Sequence, residues 1–167
     1  MKLSPMKRAA FVAATGFGLG YSPIAPGTAG TLWGILPVLL LFPLLSVPYQ
    51  ILAALLMALA AIPLCDIAER ALGTKDDGRI VADEYLCFPI CCIGLVGPET
   101  GRLAMAVIIG IAFLSFRFFD IVKPPPAHQL QSIHGGFGIV IDDVFAALYS
   151  LAFNAAAVWA LGHFGLL

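Results

Sequence analysis

Four long stretches of the chain contain no Asp, Glu, Lys or Arg, and this feature constrains the fold more than any other. The uncharged stretches are Ala9–Cys65, Tyr85–Pro98, Leu103–Phe116 and Val144–Leu167. A soluble domain averages about 25% charged residues, whereas this chain of 167 residues has 11% and is 60% apolar. The sequence therefore predicts a membrane protein with several spans.

A transmembrane helix needs about 20 mostly apolar residues, and five segments are candidate spans. These segments are Gly30–Leu45, Tyr49–Asp66, Tyr85–Val96, Arg102–Phe119 and Ile139–Phe164. The third segment is short and contains Pro89, so we expect a short span, a tilted span or a re-entrant helix there. The preceding segment Thr15–Gly30 is rich in Gly and Pro, which predicts a loop rather than a helix in lipid. We predict an all-α, polytopic membrane bundle of about five helices, with residues 1–167 forming a single domain.

The positions of the basic residues predict the orientation, because cytoplasmic loops carry an excess of Lys and Arg. With five crossings, eight of the nine basic residues lie on one face and only Arg102 lies on the other. All the acidic residues except Glu99 share the face with the eight bases. We therefore predict a cytoplasmic polar face. The N-terminal segment has no Ala-x-Ala site, so we expect no signal cleavage.

The remaining composition excludes two other classes of protein. A net charge of −1 without a basic stripe argues against nucleic acid as a partner. The cysteines lie in or beside apolar segments rather than in polar loops, which argues against a disulfide scaffold. They also lack the spacing of a metal site, so we expect four small buried hydrophobic residues. They are Cys65, Cys87, Cys91 and Cys92.

Acidic residues occur as adjacent pairs at two predicted span boundaries. Asp83 and Glu84 open the third segment, and Asp142 and Asp143 lie near the start of the fifth. Taken alone, each pair is explained equally well by helix capping, because carboxylates are favoured in the first turn of a helix. Similarly, Asp76-Asp77-Gly78 taken alone predicts a turn.

Capping does not explain why these pairs coincide with a third charged group. Arg117, Asp120 and Lys123 are spaced at i, i+3 and i+6, so a continuous helix would place them on one face. Carboxylates beside Arg and Lys suit a divalent cation bridged to a phosphate, because Mg²⁺ prefers oxygen ligands and the bases hold phosphate oxygens. The sequence therefore indicates a polar active site at the cytoplasmic ends of the spans.

Two glycine-rich segments border this charged group. The segment Thr15–Thr31 lacks the pattern of a P-loop, but its backbone amides and a hydroxyl of Thr28 or Ser22 are candidates for anion binding. An equally good interpretation is a loop packed between helices. In the second segment, His134–Gly138, the imidazole of His134 is a candidate general acid or simply a polar loop residue.

Four motifs in this order resemble the phosphatidylglycerophosphatase A family. They are Thr15–Gly30 (TGFGLGYSPIAPGTAG), Asp76–Glu84 (DDGRIVADE), Phe116–Pro126 (FRFFDIVKPPP) and His134–Asp143 (HGGFGIVIDD). The resemblance implies a Mg²⁺-dependent phosphomonoesterase that removes the terminal phosphate from phosphatidylglycerol phosphate during phospholipid synthesis. It also implies a multi-pass protein of the bacterial inner membrane with a phospholipid as its substrate. The sequence differs from the family pattern around Gly78, Arg79 and Tyr85–Cys87, where no carboxylate is affected.

The resemblance also implies a role for each residue of the charged group. Asp83, Glu84, Asp142 and Asp143 would bind Mg²⁺, and Asp120 would complete the site or activate a water molecule. Arg117 and Lys123 would bind the phosphate, together with Thr28 and His134. The sequence leaves open whether water or an Asp attacks phosphorus.

Two alternatives come from other functional classes. Carboxylates within membrane segments also mark the ion paths of transporters and channel subunits, but here the charges collect at one face and no internal repeat is visible. A structural membrane protein, in which the acidic residues only cap helices, is the other alternative.

Overall fold

The computed structural model describes residues 4–130 and 132–166, and every regular element in these ranges is helical. The α-helices are α1 (Pro5–Ala14), α2 (Pro26–Leu40), α3 (Val47–Leu72), α4 (Ala82–Cys87), α5 (Arg102–Val122), α6 (Ala127–Leu130) and α7 (Gly136–His163). Short 3₁₀ segments cover Gly16–Tyr21, Phe42–Leu44 and Phe88–Cys92. The predicted all-α fold is confirmed.

Four helices are long and apolar enough to cross a membrane, namely α2 with the 3₁₀ turn after it, α3, α5 and α7. They correspond to the first, second, fourth and fifth predicted spans. Large apolar side chains on their outer faces are exposed, including Leu40, Leu55, Leu114 and Trp159. Extended exposed apolar surface of this kind is typical of helices that face lipid. The fold is therefore a polytopic helical membrane bundle.

The third predicted span is not a continuous helix. It consists of α4 and the 3₁₀ segment Phe88–Cys92, and Pro89 stands where the helix type changes. Every residue of this 3₁₀ segment is buried, with α2, α5 and α7 packed against it. The expected count of about five helices therefore becomes four long helices around an enclosed short segment.

Helix α2 begins at Pro26, four residues before the predicted span, so the end of the predicted Gly/Pro loop is helical. Proline is tolerated at the first helical position because its missing N–H has no partner there in any case. Glycines on α2 then permit a close approach to α4: a Cβ at Gly30 would lie 2.5 Å from the Cβ of Val81, and one at Gly34 would lie 2.7 Å from that of Phe88. The glycines in the first part of α2 therefore allow this helix to pack closely against the chain around α4.

The N-terminal helix α1 packs against α3 and leads into the 3₁₀ segment Gly16–Tyr21. Two hydrogen bonds tie its end to the chain around α4. The Val81 amide donates to the carbonyl of Ala14 at 2.9 Å, and the Tyr85 hydroxyl donates to the carbonyl of Ala13 at 3.0 Å. All four cysteines are free and buried, as predicted.

The two ends of the bundle differ in their polar side chains. At one end, which we call the glutamine end, Gln50 near the start of α3 contacts the chain at Gly94 and Val96. At the other end, which we call the carboxylate end, α3 and α5 finish, and the first turns of α4 and α7 bring in acidic residues. The carboxylate end is defined by Asp83, Glu84, Asp120, Asp142 and Asp143.

Candidate active site

A polar pocket of about 270 Å³ opens at the carboxylate end of the bundle. It is lined by side chains from α4, α5, α7 and the turn before α4. These residues are Asp76, Gly78, Ile80, Asp83, Glu84, Asp120, Ile121, Lys123, Asp142 and Asp143. The structure therefore brings all five predicted carboxylates to one pocket.

The acidic pairs reach the pocket from different positions in their helices. Asp83 and Glu84 lie in the first turn of α4, as predicted. Helix α7 begins at Gly136, three residues before the predicted span, so Asp142 and Asp143 lie in its second turn, where they are 3% and 2% exposed. The amides of a second turn already have helical partners, so helix capping does not account for this pair.

Two basic side chains connect the three helices that carry the carboxylates. One guanidinium nitrogen of Arg117 lies 2.8 Å from Glu84 Oε2 and 3.0 Å from Asp120 Oδ2. Lys123 Nζ lies 2.5 Å from Asp142 Oδ2 and 4.0 Å from Asp120 Oδ1. Asp120 is therefore shared by both bases and lies centrally in the cluster.

Lys123 is not on a helical face as the i, i+3, i+6 spacing predicted. Helix α5 ends at Val122, and Lys123 adopts a left-handed conformation with φ of 46°. Even so, its side chain reaches the same cluster. The charge and hydrogen bond of Asp142 raise the pKa of Lys123 although burial opposes the shift, so this side chain is a cation at neutral pH.

Several polar atoms of the cluster are buried without a hydrogen-bond partner in the described part of the chain. They are Asp83 Oδ1, Asp142 Oδ1, Asp143 Oδ2 and Arg117 Nε. A buried polar atom left unpaired costs about 1–3 kcal/mol, and more when it is charged. Such atoms are expected where a ligand completes the site.

The charges of the cluster do not balance. The five carboxylates of the cluster, together with the exposed Asp76 of the same pocket, face two bases, so full ionisation leaves an excess of negative charge in a largely buried place. Burial, reinforced by the charge of Glu84, raises the pKa of Asp83. Burial also raises the pKa of Glu84 to about 7, outweighing the nearby charge of Arg117. A bound cation would relieve this repulsion.

The donor set fits Mg²⁺ in chemistry, because it consists of carboxylate oxygens and three of them have no hydrogen-bond partner in residues 4–130 and 132–166. Among the described residues, no group of three or more His, Cys, Asp or Glu side chains is arranged to hold a metal ion as it stands. Magnesium usually keeps several waters and takes only one or two carboxylates directly. The pocket therefore fits a hydrated cation better than a closed cage of protein ligands.

Thr31 is a pocket neighbour that the sequence analysis missed. Its hydroxyl lies 2.9 Å from Glu84 Oε2 and 2.9 Å from the carbonyl oxygen of Gly27, and can donate to either. A Cβ at Gly27 would lie 2.0 Å from Glu84 Oε1. The spacing of Gly27, Gly30 and Gly34, which places them on one face of a helix, is the signal that could have identified Thr31 as inward-facing.

The structure places the other predicted site residues at the margin. Thr28 is half-buried in the first turn of α2, and His134 is exposed in the loop before α7. Neither of them lines the polar pocket. The Ser22 hydroxyl donates to the carbonyl of Ile24 at 2.9 Å, within its own loop.

The predicted turn at Asp76-Asp77-Gly78 is confirmed, and its acidic residues have separate environments. Asp76 lines the polar pocket. Asp77 instead accepts two hydrogen bonds of 2.7 Å from the Arg79 guanidinium, which lowers its pKa. The turn therefore places one carboxylate in the pocket and neutralises the other.

Comparison with known proteins identifies relatives over most of the chain. The family model described as phosphatidylglycerophosphatase A matches residues 12–158. A protein of Bacteroides thetaiotaomicron, provisionally named a phosphatidylinositol-3-phosphatase, is 39% identical over 94% of this chain and 100% of its own. Proteins named phosphatidylglycerophosphatase A are 37% identical in Haemophilus influenzae, over 83% of this chain and 82% of theirs, and 34% identical in Escherichia coli, over 90% and 81%. No solved structure matches the chain significantly.

Proposed function

The chain belongs to the phosphatidylglycerophosphatase A family and is a phosphatase, and from this premise we propose that its polar pocket hydrolyses the terminal phosphate of phosphatidylglycerol phosphate with Mg²⁺. The products would be phosphatidylglycerol and inorganic phosphate, which places the reaction in phospholipid synthesis. The observation that carries the proposal is the set of unpaired buried oxygens on Asp83, Asp142 and Asp143. The residues that carry these atoms line a pocket of about 270 Å³, which has room for a phosphate group.

The residues expected to bind Mg²⁺ are Asp83, Glu84, Asp142 and Asp143, some of them through water molecules of the hydrated cation. Asp83, Asp142 and Asp143 each have a buried oxygen without a hydrogen-bond partner among the described residues, and Thr31 orients the carboxylate of Glu84. Mg²⁺ held by these residues would supply positive charge near the phosphoryl oxygens and would make a nearby water molecule more acidic. The protein contributes the rigid helix ends that hold these carboxylates in place.

Arg117 and Lys123 are the expected phosphate-binding residues. Arg117 Nε is a buried donor without a hydrogen-bond partner among the described residues, so it is available to a phosphate oxygen. Lys123 reaches the same cluster as a compact cation. Both side chains neutralise the charge that develops during phosphoryl transfer.

Asp120 is the expected general base for the attacking water. It lies between Arg117 and Lys123, the two residues that would hold the phosphate, and it lines the pocket. A carboxylate in this position can accept the proton of a water directed at phosphorus. Thr28 and His134 would contribute only at the edge of the site, where they meet the lipid headgroup.

The proposed location is the inner membrane of a bacterium, with the pocket on the cytoplasmic side. The bacterial relatives and the four apolar helices support the membrane. The excess of Lys and Arg at the carboxylate end supports the cytoplasmic orientation. The lipid chains of the substrate would remain in the bilayer while the headgroup enters the pocket.

A transporter or channel is not favoured, because the carboxylates collect at one end of the bundle. A phosphoinositide is a second candidate substrate, since the Bacteroides relative is provisionally named for one. Both lipids present a phosphomonoester above diacylglycerol, so the same pocket chemistry applies to either.

The test is phosphate release by the purified full-length protein in detergent. Phosphatidylglycerol phosphate, phosphatidylinositol 3-phosphate and phosphatidic acid are compared, each with Mg²⁺ and with EDTA. We expect the highest kcat/KM with phosphatidylglycerol phosphate and a loss of activity in EDTA that Mg²⁺ restores. A preference for phosphatidylinositol 3-phosphate would overturn the proposed substrate, and full activity in EDTA would overturn the proposed metal.

A further inference from the structure

An apolar groove of about 500 Å³ lies between α2 and α5 on the outer surface of the bundle. Its wall-forming side chains come from both helices and carry no charge. The side chains that line the groove include Leu32, Ile35 and Leu39 of α2 and Phe113 and Leu114 of α5, and Gly110 of α5 lines it as well. We call this surface the α2–α5 groove.

The face of α5 that lines the groove continues into the polar pocket. Residues three or four apart share one face of a helix, so the face runs from Gly110 through Phe113 to Arg117 and then Asp120. Arg117 binds Glu84, and Asp120 lines the pocket. Gly110 and Asp120 are separated by ten residues, or about 15 Å of helix. One side of α5 is thus apolar within the membrane and charged at the carboxylate end.

The face of α2 that lines the groove leads to the same place. Leu39, Ile35 and Leu32 are followed on this face by Thr28, one residue from Gly27. The carboxylate of Glu84 packs directly over Gly27. Both walls of the groove therefore end beside the Arg117–Glu84 ion pair.

We propose that the α2–α5 groove binds an acyl chain of the lipid phosphate substrate and thereby positions its headgroup at Arg117. This inference rests on the proposed function and adds a binding site for the part of the substrate that does not react. A lipid phosphate must keep its chains in apolar surroundings while its phosphate reaches the carboxylates. The groove is apolar surface that is continuous with the polar pocket.

A second apolar groove, between α5 and α7, reaches the polar pocket at a different point. Its α5 wall includes Leu114 and Phe118, and Ile121, three residues farther along the same face, lines the polar pocket. The α2–α5 groove instead leads to the ion pair of Arg117 and Glu84. We therefore assign the chain attached to the reacting headgroup to the α2–α5 groove, because Arg117 is the expected phosphate-binding residue.

Gly110 offers a direct way to fill the groove. It is exposed, and a Cβ placed there meets no atom within 4 Å. A large side chain at this position therefore enters the groove without a clash in the bundle. Gly162 provides a matched control, because it also lies in a helix, is exposed and has open space around a Cβ, but it is next to the last residue of α7.

The experiment compares the wild-type protein, Gly110→Phe and Gly162→Phe in mixed micelles. Each protein is assayed with phosphatidylglycerol phosphate of long acyl chains and with a short-chain analogue too short to extend to Gly110. We expect the ratio of the long-chain kcat/KM to the short-chain kcat/KM to fall on the order of tenfold in Gly110→Phe, the loss expected when roughly two methylenes lose their binding surface. Gly162→Phe should keep the wild-type ratio.

Four outcomes are distinguished. A lower ratio in Gly110→Phe alone supports the acyl-chain site. An unchanged ratio in Gly110→Phe overturns it and shows that bulk lipid, rather than substrate, fills the groove. A changed oligomeric state of Gly110→Phe in size-exclusion chromatography, with an unchanged ratio, assigns the groove to a second copy of the chain and also overturns it. Failure of the wild-type protein to release phosphate would instead contradict the proposed function itself.

Discussion

The two ends of the bundle both bury polar side chains, but Gln50 at the glutamine end is fully paired, whereas the carboxylate cluster is not paired in full among the described residues. At the glutamine end, Gln50 is 1% exposed, its amide nitrogen donates to the carbonyls of Phe42, Leu45 and Val96, and its carbonyl accepts from the Gly94 amide. At the carboxylate end, buried carboxylate oxygens of the cluster have no hydrogen-bond partner among the described residues. A buried polar side chain with all its hydrogen bonds made holds chain segments together. Buried polar atoms that lack partners instead indicate a place where a ligand binds.

This difference predicts opposite effects of mutation at the two ends. A substitution at the carboxylate end should remove activity at little cost in stability, because it relieves buried, uncompensated charge. A substitution at the glutamine end should remove stability at little cost in activity, because it breaks bonds that connect the segments there.

The largest effect is expected for Asp143→Asn. Asp143 is buried, and one of its oxygens has no partner within the described part of the chain. The amide of Asn keeps the shape of the side chain while removing the negative charge. We expect kcat to fall on the order of 10³-fold, as when a group that stabilises the transition state is removed. Phosphate release measures this effect, and thermal unfolding of the same sample should show an equal or higher Tm.

The control for this substitution is Glu99→Gln, which removes an exposed carboxylate near the glutamine end. It should keep wild-type kcat and Tm. If Asp143→Asn retained more than a tenth of the wild-type kcat, or if it lost stability as its activity fell, the contrast between the two ends would be wrong.

The second prediction concerns the glutamine end. Gln50→Leu leaves the buried carbonyls of Phe42 and Val96 without the side-chain donor that they have in the wild-type protein. We expect unfolding to become easier by about 3 kcal/mol, since each buried polar group left unpaired costs roughly 1–3 kcal/mol. Denaturant unfolding in detergent measures the loss.

The same Gln50→Leu sample should keep its kcat within about twofold at a temperature where it is folded, because Gln50 lies at the opposite end from the pocket. A loss of kcat comparable to that of Asp143→Asn in folded protein would show that the two ends are not separable.

The third prediction sharpens the role of Arg117 within the carboxylate end. Arg117→Lys keeps the positive charge but removes Nε and the planar guanidinium that contacts both Glu84 and Asp120. We expect kcat/KM to fall roughly 10- to 100-fold, because Lys does not reproduce the geometry of Arg at a phosphate. Steady-state kinetics on phosphatidylglycerol phosphate provide the measurement, and wild-type kinetics in this variant would remove Arg117 from phosphate binding.

Much of the architecture could be predicted from the sequence because lipid leaves few choices for uncharged segments. The four long helices follow from uncharged stretches such as Leu103–Phe116. The enclosed segment around Pro89 could not be predicted in detail, because its length alone fits a tilted span, a re-entrant helix or a buried turn. The segment is a buried turn because α2, α5 and α7 pack around it. The periodicity of the sequence does not predict this packing.

The gathering of the carboxylates could be predicted from their positions at span ends, but their exact placement could not. Asp142 and Asp143 lie in the second turn of α7 because its N-terminal glycines let the helix start early: a Cβ at Gly136 would lie 2.0 Å from the carbonyl of Ile62 in α3. The contact between Thr31 and Glu84 joins residues 53 positions apart. Long-range contacts of this kind depend on how α2 packs against α4.

Calorimetric titration of the purified protein with Mg²⁺ measures directly whether the carboxylate end binds the metal. We expect saturable binding by the wild-type protein and by Glu99→Gln, and its loss in Asp83→Asn and Asp143→Asn. Wild-type protein that releases phosphate yet binds no Mg²⁺, or variants that bind it as the wild type does, would contradict the assignment of the carboxylate end as a magnesium-dependent phosphatase site.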